Sequence, residues 1–192
     1  MRLRINSWMR WLHTYVSMFS MLVILFFALT GIVLNHPDWS FGMAEARQEV
    51  TGTLPKEWIA GENPKWLDIA EKLRQDHALK GIVGEYQADE QEGSLTFRGP
   101  AYSADVFIKR DSGEYTVNVA RQGPMAILND LHRGKDAGKA WAWLIDLSGI
   151  FLTLISLTGF GIMLYLKKIK VKSLVTFAVG CAVLLLLMKL AT

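Results

Sequence analysis

Three stretches of this chain carry no charged residue over a length close to the thickness of a bilayer's hydrocarbon core: Thr14 to Leu34, with 21 residues, Leu147 to Leu166, with 20, and Ser173 to Met188, with 16. A spanning helix needs roughly 20 predominantly apolar residues, because every backbone polar group must be satisfied within the segment itself. The first two runs meet that length. The third falls short and needs a tilt, weak anchoring or the snorkelling side chain of Lys189 at its end. The first run exceeds the apolar region of a cleaved secretory signal and no small-x-small cleavage pattern follows it, so it is expected to be retained. Three transmembrane helices are therefore the frame on which everything else hangs.

Charge sets the expected orientation. Arg2, Arg4 and Arg10 precede the first run, and Lys167, Lys168, Lys170 and Lys172 separate the second from the third; neither flank holds an acidic residue. The positive-inside rule places both flanks in the cytoplasm. The long stretch from His36 to about Lys139 is then outside, in the periplasm of a bacterial inner (cytoplasmic) membrane. All 18 acidic residues but only 13 of the 21 basic ones lie between Asp38 and Asp146, a balance of −5. That disfavours nucleic acid, and any strongly anionic partner, for the outer segment, and no nucleic acid is expected to bind. The expected division is 1–36 for the N-terminus and first helix, 37–125 for the outer domain, 126–166 for an interfacial segment and second helix, 167–172 for a basic loop and 173–192 for the third helix.

The outer stretch reads as a small α+β domain. Asn63 followed by Pro64 predicts a helix start. Trp66, Ile69, Ala70 and Leu73 recur at helical spacing, and Gly81 is the expected stop. Three or four strands follow, at Ile82 to Ala88, Ser94 to Arg98, Asp105 to Lys109 and Tyr115 to Ala120. Asp111-Ser112-Gly113 makes a hairpin turn between the last two, and Tyr115, Val117 and Val119 alternate as a half-buried strand does.

Several chemistries lack their machinery. Cys181 is the only cysteine, so the outer domain has no disulfide and no Cys-x-x-Cys-His attaches haem covalently. A glycine-rich nucleotide loop, a His-Glu-x-x-His zinc motif and a serine elbow are all missing from the sequence. No residue is assigned a catalytic role.

The histidines are the informative residues. His13 precedes the first run, His36 stands at its exit and His132 leads into the second. His13 and His36 are 23 residues apart, about 34 Å of ideal helix and so opposite faces of a bilayer. Pro37 turns the backbone at His36 out of the helix. Ser17, Ser20 and Gly31 share the helical face of His13, a small-residue stripe that lets a helix or flat macrocycle approach. His36 and His132 fall on the same outer side, and two histidines from two helices at one depth are the minimum for a bis-histidine b-type haem. Arg133 and Lys135 are placed to meet its propionates. For each histidine the plain alternative is an interfacial anchor or a helix-end cation, and for Arg133 and Lys135 a basic interfacial loop. His77, at the end of the outer helix, reads as a surface residue. Asp146, drawn into an apolar segment, is expected to pair with Lys139 or Arg133 or to handle protons or quinol. Trp8, Trp11, Trp39, Trp141 and Trp143 read as interfacial belts.

Taken in order, Trp11-Leu12-His13, Leu29-Thr30-Gly31 running to His36, Asp130-Leu131-His132-Arg133-Gly134, Trp143 through Gly149 and a second Leu157-Thr158-Gly159 resemble the PepSY-associated transmembrane proteins. The resemblance covers nearly the whole chain and puts a PepSY-like domain between helices 1 and 2. It implies redox work: relatives include haem b inner-membrane reductases that pass electrons to ferric siderophores, and others that serve periplasmic flavin-bearing proteins. Carried over, His13, His36 and His132 match the family's span-end histidines, and Gly31 and Gly159 its Thr-Gly steps. Three apolar segments and one PepSY-like region set the chain apart from the larger reductases.

The expectation is thus a haem b electron-transfer protein, a membrane oxidoreductase or a carrier subunit, taking electrons from a quinol or cytoplasmic reductase. Its acceptor is a periplasmic ferric chelate or flavin-bearing protein. His36 and His132 hold one haem, and His13 is left without a second histidine. Three solutions stay open: a single haem, a second haem shared by the His13 residues of a homodimer, or an inner haem with His13 and a weaker ligand such as Met163. The alternative from another class is a membrane-anchored PepSY-type binding or regulatory module without redox activity.

Overall fold

A computed structural model describes residues 2–39, 45–61 and 63–192. In chain order the elements are α1 (Arg2–Leu34), β1 (Ala46–Thr53), a 3-10 turn (Lys56–Trp58), α2 (Trp66–His77), β2 (Ile82–Ala88), β3 (Glu92–Gly99), β4 (Tyr102–Lys109), β5 (Glu114–Arg121), α3 (Pro124–Arg133), α4 (Gly138–Tyr165) and α5 (Lys170–Ala191). They pack as two compact units, one of Phe26–Ile145 and one of Met1–Leu25 with Asp146–Thr192.

The first of these holds the α+β part. Its sheet is antiparallel throughout, in the order β1-β5-β4-β3-β2. Alternation places Leu95, Phe97, Ala104, Val106, Ile108, Tyr115, Val117 and Val119 on one face, where Ile69, Ala70 and Leu73 of α2 meet them. Phe97, Leu95, Ile59, Ile69 and Leu73 are wholly buried. The opposite face carries half-buried or exposed Thr96, Arg98, Asp105, Phe107 and Thr116.

Local differences from expectation have identifiable causes. The helix starts at Trp66, not at Asn63-Pro64, and Lys65 at its N-cap has no side-chain cap. The Lys65 amide instead donates to the Trp58 carbonyl at 2.8 Å, tying the entry to the 3-10 turn. It stops at Ala78, in the left-handed conformation (φ 50°), three residues before the expected Gly81. A fifth strand, β1, was not expected. It is an edge strand paired only with β5, and its polar, mostly exposed Gln48, Glu49 and Thr51 carry no apolar alternation to signal it.

The second unit is helical. Within it α1 and α4 run antiparallel, with the Phe19 and Phe151 rings edge-on at 5.4 Å, and Phe160 of α4 meets Phe177 of α5 at 5.1 Å. Three helices are long and apolar enough to cross a membrane, over Arg4–Leu34, Gly138–Tyr165 and Lys170–Ala191. The third is not short: it begins at Lys170 and reaches 22 residues by taking two basic residues into its first turns. α1 likewise starts at Arg2, so His13 lies inside a continuous helix rather than before it. The buried polar residues here are Ser20, Ser148 and Thr158, whereas Leu22, Leu157 and Leu187 are exposed. Small residues inside and large apolar residues outside is the packing of helices surrounded by lipid.

Candidate functional site

His132 sits in the last turn of α3, which begins with Pro124 at its first position and ends at Gly134. The indole of Trp141 donates to the Leu131 carbonyl at 2.7 Å and its ring meets Phe26 edge-on, so this tryptophan ties α4 to α3 and α1 instead of serving only as an interfacial belt. The His132 ring comes down on α1. Its Nδ1 lies 2.8 Å from the Thr30 hydroxyl, its ring is edge-on to Phe27, and a Cβ on Gly31 would stand 3.3 Å from its Cε1. A side chain at Gly31 would therefore press on the imidazole, which would have to give by a few tenths of an ångström.

The same construction recurs at His13, with the helices exchanged. Here the ring projects from α1 onto α4: Nδ1 lies 3.0 Å from the Thr158 hydroxyl and 3.1 Å from the Ile155 carbonyl. A Cβ on Gly159 would stand 3.3 Å from Cε1, the same separation as at Gly31. Each histidine thus docks on a Leu-Thr-Gly step, His132 on the one in α1 and His13 on the one in α4.

These contacts place a proton on Nδ1 of both rings. A carbonyl only accepts, so Nδ1 of His13 must donate to Ile155. The Thr158 hydroxyl spends its one hydrogen on the Leu154 carbonyl at 2.6 Å, and Thr30 spends its own on Phe26 at 2.7 Å. Each threonine can then only accept from the histidine, which assigns the proton to Nδ1 in both rings. The neutral imidazole keeps its lone pair on Nε2, and Nε2 of neither ring has a hydrogen bond among the described residues. A ring held through Nδ1–H and presenting Nε2 is the form in which histidine binds a metal. Among the described residues no group of three or more His, Cys, Asp or Glu converges. The donor set thus suits a metal that brings its own equatorial ligands, as haem iron does, and both half-sites fit that requirement.

A family model described as PepSY_TM-like matches residues 7–192. The chain belongs to the PepSY_TM-like family. No curated protein and no solved structure matches it.

The remaining candidates of this PepSY_TM-like chain are placed differently. His36 lies beyond the end of α1, exposed, with its ring stacked on Trp39 at 4.3 Å and 11°. Arg133 pairs at 2.6 Å with Asp130, whose other oxygen accepts from the Ala101 amide at 2.8 Å. Asp130 is only 6% exposed, and it joins α3 to the β3–β4 turn. Asp146 is exposed on α4, with no ion pair among the described residues. Lys135 lines a cleft of about 660 Å³ on the α+β unit with Glu85, Arg98, Asp130 and Asp136. His77 is not a free surface residue: its Nε2 is 2.8 Å from the hydroxyl of buried Tyr115. Burial, and then the nearby Asp76 carboxylate, push the Tyr115 phenol above its ordinary range.

Sequence reasoning singled out His13, His132, Gly31 and Gly159 but missed Thr30 and Thr158 as the groups that hold the rings. The signal was the repeated Leu-Thr-Gly triplet, one copy in each of two apolar helices.

Proposed function

We propose that this membrane protein binds haem b and carries electrons across the bilayer. The observation that supports this is the pair of histidines, His13 and His132, each held through Nδ1–H by a threonine of the facing helix and presenting Nε2. When bound, the haem would supply a one-electron couple. The chain's own residues do the rest: His13 and His132 offer axial nitrogens, Thr158 and Thr30 set their tautomers, and Gly159 and Gly31 let the rings lie close to the helix. Arg133 and Lys135, one and three residues beyond His132, are the cations nearest in sequence for propionates. His36, the third span-end histidine, lies beyond the end of α1, exposed and stacked on Trp39, and stands outside this ligand set.

The positive flanks orient the N-terminus and the α4–α5 connection to the cytoplasm of a bacterial inner membrane, with the α+β unit in the periplasm. Electrons would come from a quinol or a cytoplasmic reductase. Because one step across roughly 30 Å of hydrocarbon is too slow, both ends of the path need a redox centre, and the chain offers a histidine half-site towards each. The cleft walled by Arg98, Lys135 and Glu85 is the natural dock for the acceptor, a ferric chelate or a flavin-bearing protein. Protein purified from haem-replete cells should show a Soret band and a reducible b-type α band; colourless protein would sink the proposal. The same cleft supports a second reading, a binding or regulatory module without redox activity. That reading requires His13→Ala and His132→Ala to leave function intact while Arg98→Glu abolishes it.

A further inference from the structure

We infer that the chain works as a pair of identical copies, and that each haem is held by the same histidine of both: His13 with the His13 of the second copy, and His132 with the His132 of the second copy. The inference rests on the haem reading above and goes beyond it in naming the ligand pairs and the partner.

A six-coordinate b-type haem needs two axial donors, and each half-site supplies one. The two half-sites are built alike, in the threonine that accepts from Nδ1, the glycine under Cε1 at 3.3 Å and the Nε2 left over. His36 shares none of this. It lies outside the helix, exposed and stacked on Trp39, with no threonine on its ring. It also stands six residues past Thr30 and beyond Leu34, the last residue of α1. The fourth histidine, His77, is engaged by Tyr115 in the α+β unit. The chain therefore presents two equal halves rather than one complete site and one stray histidine.

A twofold axis completes both at once. In an isologous pair, residues on the axis meet their own equivalents, so a single histidine per level suffices at both levels with one operator. A complete His36–His132 site would leave His13 in need of a different solution, although its surroundings match those of His132.

The test is haem stoichiometry and spectroscopy on the full-length chain in detergent, with its mass measured by light scattering. Dimers with one haem per protomer are expected. His13→Ala and His132→Ala should each retain half the haem, and His36→Ala and Met163→Leu should retain all of it. His132→Gly supplied with imidazole should regain its missing low-spin haem, which separates a lost ligand from a lost fold. Loss of haem in His36→Ala equal to that in His132→Ala would overturn the pairing and leave the haem reading standing, as would a haem-loaded monomer. Colourless wild-type protein would overturn both.

Discussion

The two units bury opposite kinds of side chain. Around the sheet the deepest residues are Phe97, Ile59, Ile69, Leu73 and Leu95, whereas among the helices of the other unit they are Ser20, Ser148 and Thr158. The first pattern follows from water, which drives large apolar surface inward. The second follows from lipid, in which a leucine gains little by turning inward, so close packing and hydrogen bonds decide the interior. In the helices each buried hydroxyl whose bonding is resolved returns its hydrogen to a carbonyl of its own helix, Ser20 to Val16 and Thr158 to Leu154. The oxygen of Thr158 stays available as an acceptor, and that is what allows an apolar helix to hold a histidine through its Nδ1–H.

The comparison can be broken most forcefully at the sheet. Phe97→Ala removes the largest wholly buried side chain and should cost about 3–5 kcal/mol, measured as a lower denaturation midpoint of the α+β unit in the full-length protein. A loss below about 1 kcal/mol would mean that the sheet's core is not the main source of that unit's stability. Among the helices the equivalent blow is addition, not removal. Gly31→Leu and Gly159→Leu each force a side chain against a histidine ring and should cost about 1–3 kcal/mol by overpacking. Each should also displace the haem on its own level while sparing the other, read as haem per protomer.

How much was legible follows from the same contrast. Where water writes the pattern, alternation showed β5 and helical spacing showed Ile69, Ala70 and Leu73, but edge strand β1 sets only Val50 against the core among polar neighbours and left no trace. Where lipid writes it, uncharged length showed the spans but not which face is inside, because Leu is as suitable towards lipid as towards protein. Both histidines and both Leu-Thr-Gly steps were visible in the sequence. Their crossed pairing was not, because it depends on the facing of α1 and α4 and on α3 turning His132 back onto Thr30. The Asp130–Ala101 and His77–Tyr115 contacts were hidden for the same reason: they are tertiary.

Two smaller effects sharpen the picture. Thr30→Val and Thr158→Val keep shape but remove the acceptor for Nδ1–H, and each should cost about 0.5–1.5 kcal/mol, with Ser restoring most of it. In haem-loaded protein the reduction potential of the affected level should move, and equal shifts from the two variants would support equivalent half-sites. In the α+β unit the raised Tyr115 ionisation makes stability fall in alkali. The folded chain keeps this proton at pH values where the unfolded chain has lost it, so the contribution is whole below a pH of about 10 and disappears as pH rises through the folded value. Tyr115→Phe should flatten that alkaline limb in a denaturation series.

The smallest expected effect is the most diagnostic of lipid. Leu187 lies on α5, which buries no residue, and it is 57% exposed. In water, a helix covered with leucine on all sides would gain by associating, and truncating one would change its behaviour. In a bilayer Leu187→Ala exchanges one apolar contact with lipid for a smaller one, so unfolding in detergent or bicelles should shift by less than about 0.5 kcal/mol. A loss above 1 kcal/mol would show that this face of α5 packs against protein. Since the paired arrangement brings a second copy within reach of the helices, repeating the measurement on His13→Ala protein would tell whether the packing surface belongs to that copy.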